Sequence, residues 1–217
     1  MKKQVGAEHY EFQRYMGLPR WTSVWHQLNE VAALKPNKVM EVGPGAGYFK
    51  AAASCLGIPV ETVDLDPELR PDHVASVTDL PFLDCSFDLT CAFQVLEHLP
   101  FEVALTALSE LTRVARQHVV ISLPDASRTW RYLWHLPKLG ERRVLLRRPQ
   151  VRPLDHHFDG EHYWELNKRG YDLDTVIDSF LKSGSLRLDR TFRPFENAYH
   201  RFFVFSVRPT TEQIARS

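Results

Sequence analysis

Cysteine is scarce in this chain and poorly placed for cross-linking. The 217 residues hold three, Cys55, Cys85 and Cys91. An odd number without a C-x-x-C pair excludes a disulfide framework or a cysteine-based zinc site as the basis of the fold. All three read as small buried apolar residues in a reducing compartment. A surplus of one charge is also missing, since 27 basic side chains balance 27 acidic ones. No global field favours nucleic acid, and no nucleic-acid partner is expected. No apolar run approaches the length of a membrane span, and the opening MKKQVGAEHYEF lacks the apolar centre of a secretion signal. A cytoplasmic location is the resulting expectation. Glycine is sparse as well, yet three of the ten fall within five residues, at Gly43, Gly45 and Gly47.

That cluster follows the short apolar run Val39, Met40 and Val42, with Glu41 inside it, and precedes the helix-favouring Tyr48-Phe49-Lys50-Ala51-Ala52-Ala53. A strand, a glycine turn and a helix in this order let a ligand approach the main chain and meet the free N–H groups of the helix. The pattern is that of a nucleotide-type cofactor site. A dinucleotide fingerprint needs a final glycine where Tyr48 stands, which disfavours a nicotinamide-dependent oxidoreductase. Glu41, two residues before Gly43, would repel a pyrophosphate but suits a ligand carrying a cationic amine and a sulfonium. Asp64 closes the next apolar run, 21 residues after Gly43, about the spacing at which an acid on the second strand holds a ribose diol.

With these residues in order and in register, the chain resembles the class I S-adenosylmethionine-dependent methyltransferases, in particular the type 11 group. The resemblance runs from Lys38 to Asp125 and continues through Ser76-VTDLPF and Ser86-FDLTCAFQVLEHLP. It implies S-adenosyl-L-methionine as cofactor. It further implies that Glu41, Gly43, Gly45 and Gly47 line its methionine part, with Phe93 and Gln94 beside that part. Asp64 would hold the ribose with Leu65 next to it, and Asp79 and Leu80 would lie at the adenine. An aspartate common in the family is absent where Ser76 stands, so adenine recognition shifts to Asp79 or to backbone groups.

The rest of the pattern fits one domain over 1–217. A helical, aromatic segment at 1–36 carries Trp21, Trp25 and Leu28 at helix-compatible spacing. Strands are expected at 38–42, 60–64, 87–93 and 118–123. A helix over 100–115 should start with Pro100 at its first position, and another over 171–184 should be capped by Asp172 and ended by Gly184. Alternation of this kind implies a parallel sheet covered on both faces. The fold class is therefore α/β and Rossmann-like, doubly wound. The resemblance completes it as a seven-stranded, mostly parallel sheet whose last two strands, near 186–192 and 202–207, make an antiparallel hairpin. The loop 193–200 would then reach the cofactor face.

Residues 126–165 form an insert without a clear strand. Its stretch 126–153 carries eight basic side chains (Arg128, Arg131, Lys138, Arg142, Arg143, Arg147, Arg148 and Arg152) against the single acid Glu141. Trp130, Leu133 and Trp134 read as a helical stripe among those arginines, suited to an anionic membrane surface, a lipid-linked or phosphorylated substrate, or a lid. It also suits plain packing with a solvated rim, at a dimer contact or in solvent. The following stretch holds Asp155, His156, His157, Asp159, Glu161 and His162, which are ligand types for a divalent metal or a source of general base. No H-E-x-x-H spacing supports a metal, and none is expected from this loop. His162 and Tyr163 are the acceptor-side candidates, and His98 in the sequence VLEHLP is a second candidate base. The functional expectation is methyl transfer to a small-molecule acceptor, a hydroxyl of a sugar, lipid-linked glycan or other metabolite. A silent cofactor-binding scaffold is the alternative.

Overall fold

The computed structural model describes residues 16–138, 140–150 and 154–208. The first fifteen residues of the expected N-terminal helical segment and Arg152 of the basic stretch lie outside these. Helix α1 spans Leu18–Leu34 and is followed by β1, Val39–Val42. Next come α2 (Tyr48–Cys55), β2 (Val60–Asp64), β3 (His73–Val74) and β4 (Phe87–Phe93). Helix α3 covers Phe101–Val114 and β5 covers Ala115–Pro124. Two further strands, β6 (Thr129–Leu136) and β7 (Gly140–Arg147), precede α4 (Leu173–Ser183), β8 (Leu186–Phe192) and β9 (His200–Val207).

Seven strands form one sheet in the order β3-β2-β1-β4-β5-β9-β8. Pairing is parallel from β3 through β5, while β9 runs antiparallel to both β5 and β8. Strand β4 is buried along its whole length, as a central strand covered on both faces must be. Val39, Leu89, Cys91, Phe93, Phe202 and Val204 join Phe49 and Ala53 of α2 and Val31 of α1 on one face. Met40, Val42, Ile121, Phe203 and Phe205 face α3 and α4 on the other. Alternate residues of β9 thus feed two separate cores, which is the period of two expected of a strand.

Several local expectations are corrected. Only Cys91 is buried, whereas Cys55 is exposed and Cys85 intermediate. Pro100 occupies the cap position before α3 rather than its first turn. Asp172 stands at the cap of α4 without a side-chain cap bond. Gly184 ends that helix in extended backbone, φ −152°, and its role is close approach, because a Cβ there would lie 3.1 Å from Thr112 Oγ1. The largest correction concerns the insert, where β6 and β7 form a separate antiparallel hairpin in place of the expected helix. Trp130, Tyr132, Trp134 and Leu136 alternate with a period of two, and Pro137 would have broken a helix. Lys138 and Gly140 turn the chain at φ 68° and 71°.

The hairpin is rooted in a buried charge cluster at the end of β5. Asp125 is 1% exposed. Its Oδ1 accepts bonds from the Ser127 N–H and hydroxyl and from Asn167 Nδ2, and its Oδ2 accepts one from Arg201 Nε at 2.7 Å. Arg193 Nε lies 3.6 Å from Oδ2, and its guanidinium also donates to the Ser127 hydroxyl and carbonyl, each at 2.8 Å. Burial alone would raise the Asp125 carboxyl, but bonds from Ser127 and Arg201 outweigh it and hold it below the ordinary carboxylate value. The stability it supplies is therefore present above about pH 4 and is lost as pH falls through the lowered value. Asp125→Ala should cost about 3–5 kcal/mol in urea unfolding, because it strands two nearly buried arginines. A loss under about 1 kcal/mol would mean the cluster is incidental.

Candidate active site

Strand order reverses between β1 and β4, and the loops leaving their C-terminal ends part there, which is where open α/β sheets bind ligands. A cavity of about 460 Å³ lies at this point. After β1 the chain turns through Gly43, Gly45 and Gly47 with φ of 69°, 52° and 75°, conformations that cost glycine nothing. A Cβ on Gly43 would meet Val95 Cγ2 at 2.5 Å, so this glycine is required by space as well as by φ. Gly47 is the N-cap of α2, and its carbonyl accepts from Ala51 N–H at 3.0 Å. After β4, Gln94 also adopts a left-handed backbone, φ 57°. Its amide donates to the Ser122 hydroxyl at 3.1 Å, which ties the turn to β5.

Glu41, Gly43, Gly45, Phe93, Gln94, His98 and His162 line the cavity. Asp64, Leu65, Gly47, Asp79 and Leu80 do not. Asp64 closes β2 on the same edge of the sheet, and its Oδ1 accepts the Asp66 N–H at 2.9 Å. Burial raises its carboxyl above the ordinary value. Leu65 is exposed, as is Asp79, while Leu80 points into the core at 3% exposure. The Leu80 main chain is engaged too, with its N–H donating to Glu110 and its carbonyl accepting from Arg113. Tyr163 faces outward, its ring 4.7 Å from Phe158, and is not among the cavity-lining residues.

Glu41 is the most informative group here. It is 3% exposed, and its Oε2 has no hydrogen-bond partner among the described residues. Burial pushes its carboxyl up to about 8 against the pull of Lys50. An orphaned buried carboxylate beside a glycine turn fits a cationic group on a ligand, as the amine of S-adenosylmethionine would supply. The opposite wall is made by residues distant in sequence. Trp164 is fully buried, donates to the Leu99 carbonyl at 3.1 Å and packs on Phe101, which fixes the neighbouring His162. The ring of His162 lies 5.0 Å from that of His98. His162 Nδ1 is 3.1 Å from Glu165 Oε1, and Glu165 also takes bonds from Lys168 and Tyr199. Burial would raise Glu165, but these three partners hold it at about 2. His162 is correspondingly raised: burial works against it, and Glu165 prevails. His98 is lowered, first by burial and then by the charge of His162.

Sequence reasoning missed Arg20 of α1, Asn197, Tyr199 and His200, which also line the cavity. Only the expected approach of the loop 193–200 signalled three of them. His200 is buried, its Nδ1 is without a partner among the described residues, and burial, then Arg20 and His162, push it down to about 3. It is a neutral imidazole in the cavity wall. Helix α1 is drawn over the site by Asn197 Nδ2 donating to Ser23 at 3.0 Å and by His26 near Glu196 at 3.2 Å.

A family model described as a methyltransferase domain matches residues 40–123. An uncharacterized methyltransferase of Mycobacterium sp. (strain JLS) is 36% identical over 90 residues, a match covering 36% of this chain and 34% of that protein. The chain thus spans about a third of the curated relatives it matches. In fold it is similar to the PH0226 protein of Pyrococcus horikoshii OT3, with TM-score 0.59, 13% identity and coverage of 90% and 92% of the two chains. It is also similar to magnesium protoporphyrin IX methyltransferase of Synechocystis PCC 6803 with bound S-adenosylmethionine, with TM-score 0.57, 16% identity and coverage of 88% and 81%. Glycine turn, switch-point cavity and family match agree: residues 40–123 are similar to the methyltransferase-domain family, and the chain shares the fold of those solved structures.

Proposed function

We propose that the protein acts in the cytoplasm and transfers the methyl group of S-adenosylmethionine to a hydroxyl of a small molecule, a sugar or lipid-linked glycan bearing an anionic group. The observation that carries the cofactor half is Glu41, whose unpartnered oxygen and raised carboxyl await a cation beside the glycine turn. In this reading Gly43, Gly45, Gly47, Phe93 and Gln94 surround the methionine part. Asp64 with Leu65 takes the ribose, and Asp79 and the Leu80 segment take the adenine edge. Transfer is an in-line displacement. The acceptor oxygen bonds the methyl carbon, the C–S bond breaks with its electron pair kept by sulfur, and the acceptor proton leaves to a base. His98 and His162 are the groups we assign to that side. Because the sulfonium is already activated, alignment and exclusion of water supply most of the catalysis.

The acceptor half rests on the insert. Trp130, Tyr132, Trp134, Leu136, Val144 and Leu146 share one face of the hairpin and are all exposed. Arginines border them, with Arg148 over the Trp130 ring at 5.5 Å. Aromatic side chains beside cations favour a membrane interface. The Synechocystis enzyme named above acts on a small molecule, magnesium protoporphyrin IX. A second cavity of about 640 Å³ at the hairpin root is lined by Arg128, Arg131, Arg148, Lys168 and Arg193. It shares Pro19, Asn197 and Tyr199 with the first, so an anionic head group there could extend its hydroxyl toward the cofactor.

Calorimetric titration should show binding of S-adenosylmethionine and S-adenosylhomocysteine, and failure of folded protein to bind either would refute the proposal. Asp64→Ala should weaken binding about tenfold or more through lost bonds to the ribose. Affinity for S-adenosylhomocysteine should tighten from about pH 6.5 to about pH 8, because the bound amine requires Glu41 ionised. Glu41→Gln should flatten that slope, and an unchanged slope would remove Glu41 from the role. Vesicles rich in anionic lipid should co-sediment the protein, and a Trp130→Ala, Trp134→Ala pair should release it. Equal sedimentation of both proteins would separate the hairpin from any lipid.

A further inference from the structure

Glu97 is a carboxylate that neither the fold nor the cofactor site satisfies. It lies in a short 3-10 turn, Leu96–His98, after β4, is wholly buried, and neither of its carboxylate oxygens has a hydrogen-bond partner among the described residues. A bare buried carboxylate costs several kcal/mol and calls for a cation or a proton. Its neighbours are His98, adjacent in the chain, and His162, which crosses from the insert. One ligand atom from each of the three lies within 4.8 Å of the others.

The outer sides of both rings are fastened. His98 Nδ1 is 2.9 Å from the Glu161 carbonyl, and His162 Nδ1 is 3.1 Å from Glu165 Oε1. Glu165 is in turn held by Lys168 and Tyr199. An Nδ1–H donated to a carbonyl or carboxylate sets the tautomer that presents Nε2 as a metal ligand and holds the ring in place. The second group of ligand types, Asp159, His162 and Glu165, lacks these properties. Glu165 already has its three partners, and Asp159 Oδ1 accepts the N–H groups of Glu161 and His162.

We propose that Glu97, His98 and His162 form a binding site for one divalent first-row transition cation, of the Zn²⁺ or Mn²⁺ kind, on the acceptor wall of the cavity. Two imidazole nitrogens and one carboxylate oxygen are a donor set for such ions. Ligand atoms about 3 Å apart would surround an ion at ordinary bond lengths, so closing the present spacing takes side-chain shifts of about an ångström. Three protein ligands leave positions open for the acceptor. The catalytic consequence rests on the proposed methyl transfer: a cation here lowers the pKa of an acceptor hydroxyl, which is the task otherwise given to a histidine base. The loop 154–166 read alone shows no metal spacing because two of the three ligands precede α3.

The test uses untagged full-length protein, stripped with EDTA and titrated calorimetrically with ZnCl₂ and, separately, MnCl₂. One equivalent should bind at least one of the two. Glu97→Gln and His162→Ala should each weaken binding at least tenfold, and Glu165→Gln should weaken it about 10–100-fold through the outer bond alone. Wild-type protein with Co²⁺ should show a visible spectrum distinct from the aqueous ion, a readout independent of how the variants fold. Absence of binding by either ion, an aqueous Co²⁺ spectrum, or equal affinity in folded Glu97→Gln and His162→Ala would overturn the site and would mean Glu97 is kept neutral by a proton. Titration of the same stripped sample with S-adenosylhomocysteine separates that outcome from failure of the methyltransferase reading, which predicts cofactor binding without metal.

Discussion

The carboxylate of Asp125 is the constraint on which the acceptor half of the molecule depends. A charge so deeply buried survives only when several donors converge on it, and here they come from four segments. Ser127 begins the hairpin, Asn167 closes the insert, Arg193 belongs to the last loop and Arg201 to β9. The Asp125 N–H itself donates to the Tyr199 carbonyl at 2.7 Å. One residue at the end of a parallel strand therefore sets where Tyr199 and the insert approach the cavity. Loops that would otherwise be independent are thereby tied into one wall.

The opposite wall is built on another principle. Around Glu41 and the glycine turn the geometry is local, set by backbone φ values and by the register of β1 between β2 and β4. The turn is tied to the sheet by Gly43 N–H donating to the Val63 carbonyl at 2.9 Å and by the close approach of Val95 to Gly43. The Asp125 wall instead depends on contacts among four separate segments.

That difference explains what could be read from the sequence. The strand boundaries at β2, β4 and β8 and the glycine turn were legible because each depends on residues within a few positions. The hairpin was misread because Trp130, Leu133 and Trp134 satisfy a helical spacing while Trp130, Tyr132 and Trp134 satisfy a strand spacing, and short apolar runs fit both. Pro137 was the deciding signal, and the aromatic alternation its support. Leu80 shows a different limit: its place in the motif was visible, but its burial against α3 depends on the partner helix. His200 and Glu97 carried no local mark at all, since a buried orphan is defined by what fails to surround it.

Cavity electrostatics give these two orphans a common meaning. Glu41 and Glu97 are both buried acids whose carboxyls burial raises to about 8; Glu41 lines the cavity, and Glu97 adjoins His98, which lines it too. Each is costly as a carboxylate until a cation or a proton meets it, so the desolvated acids favour positive charge in a ligand independently of any contact with an adenine or a sugar. In the proposed methyl transfer, S-adenosylmethionine would bring a sulfonium and an amine, and its thioether product would keep only the amine. Loss of that positive charge near the buried Glu41 would weaken the hold on the product relative to the substrate, so the desolvated acid that makes the folded chain costly to assemble would also favour product release.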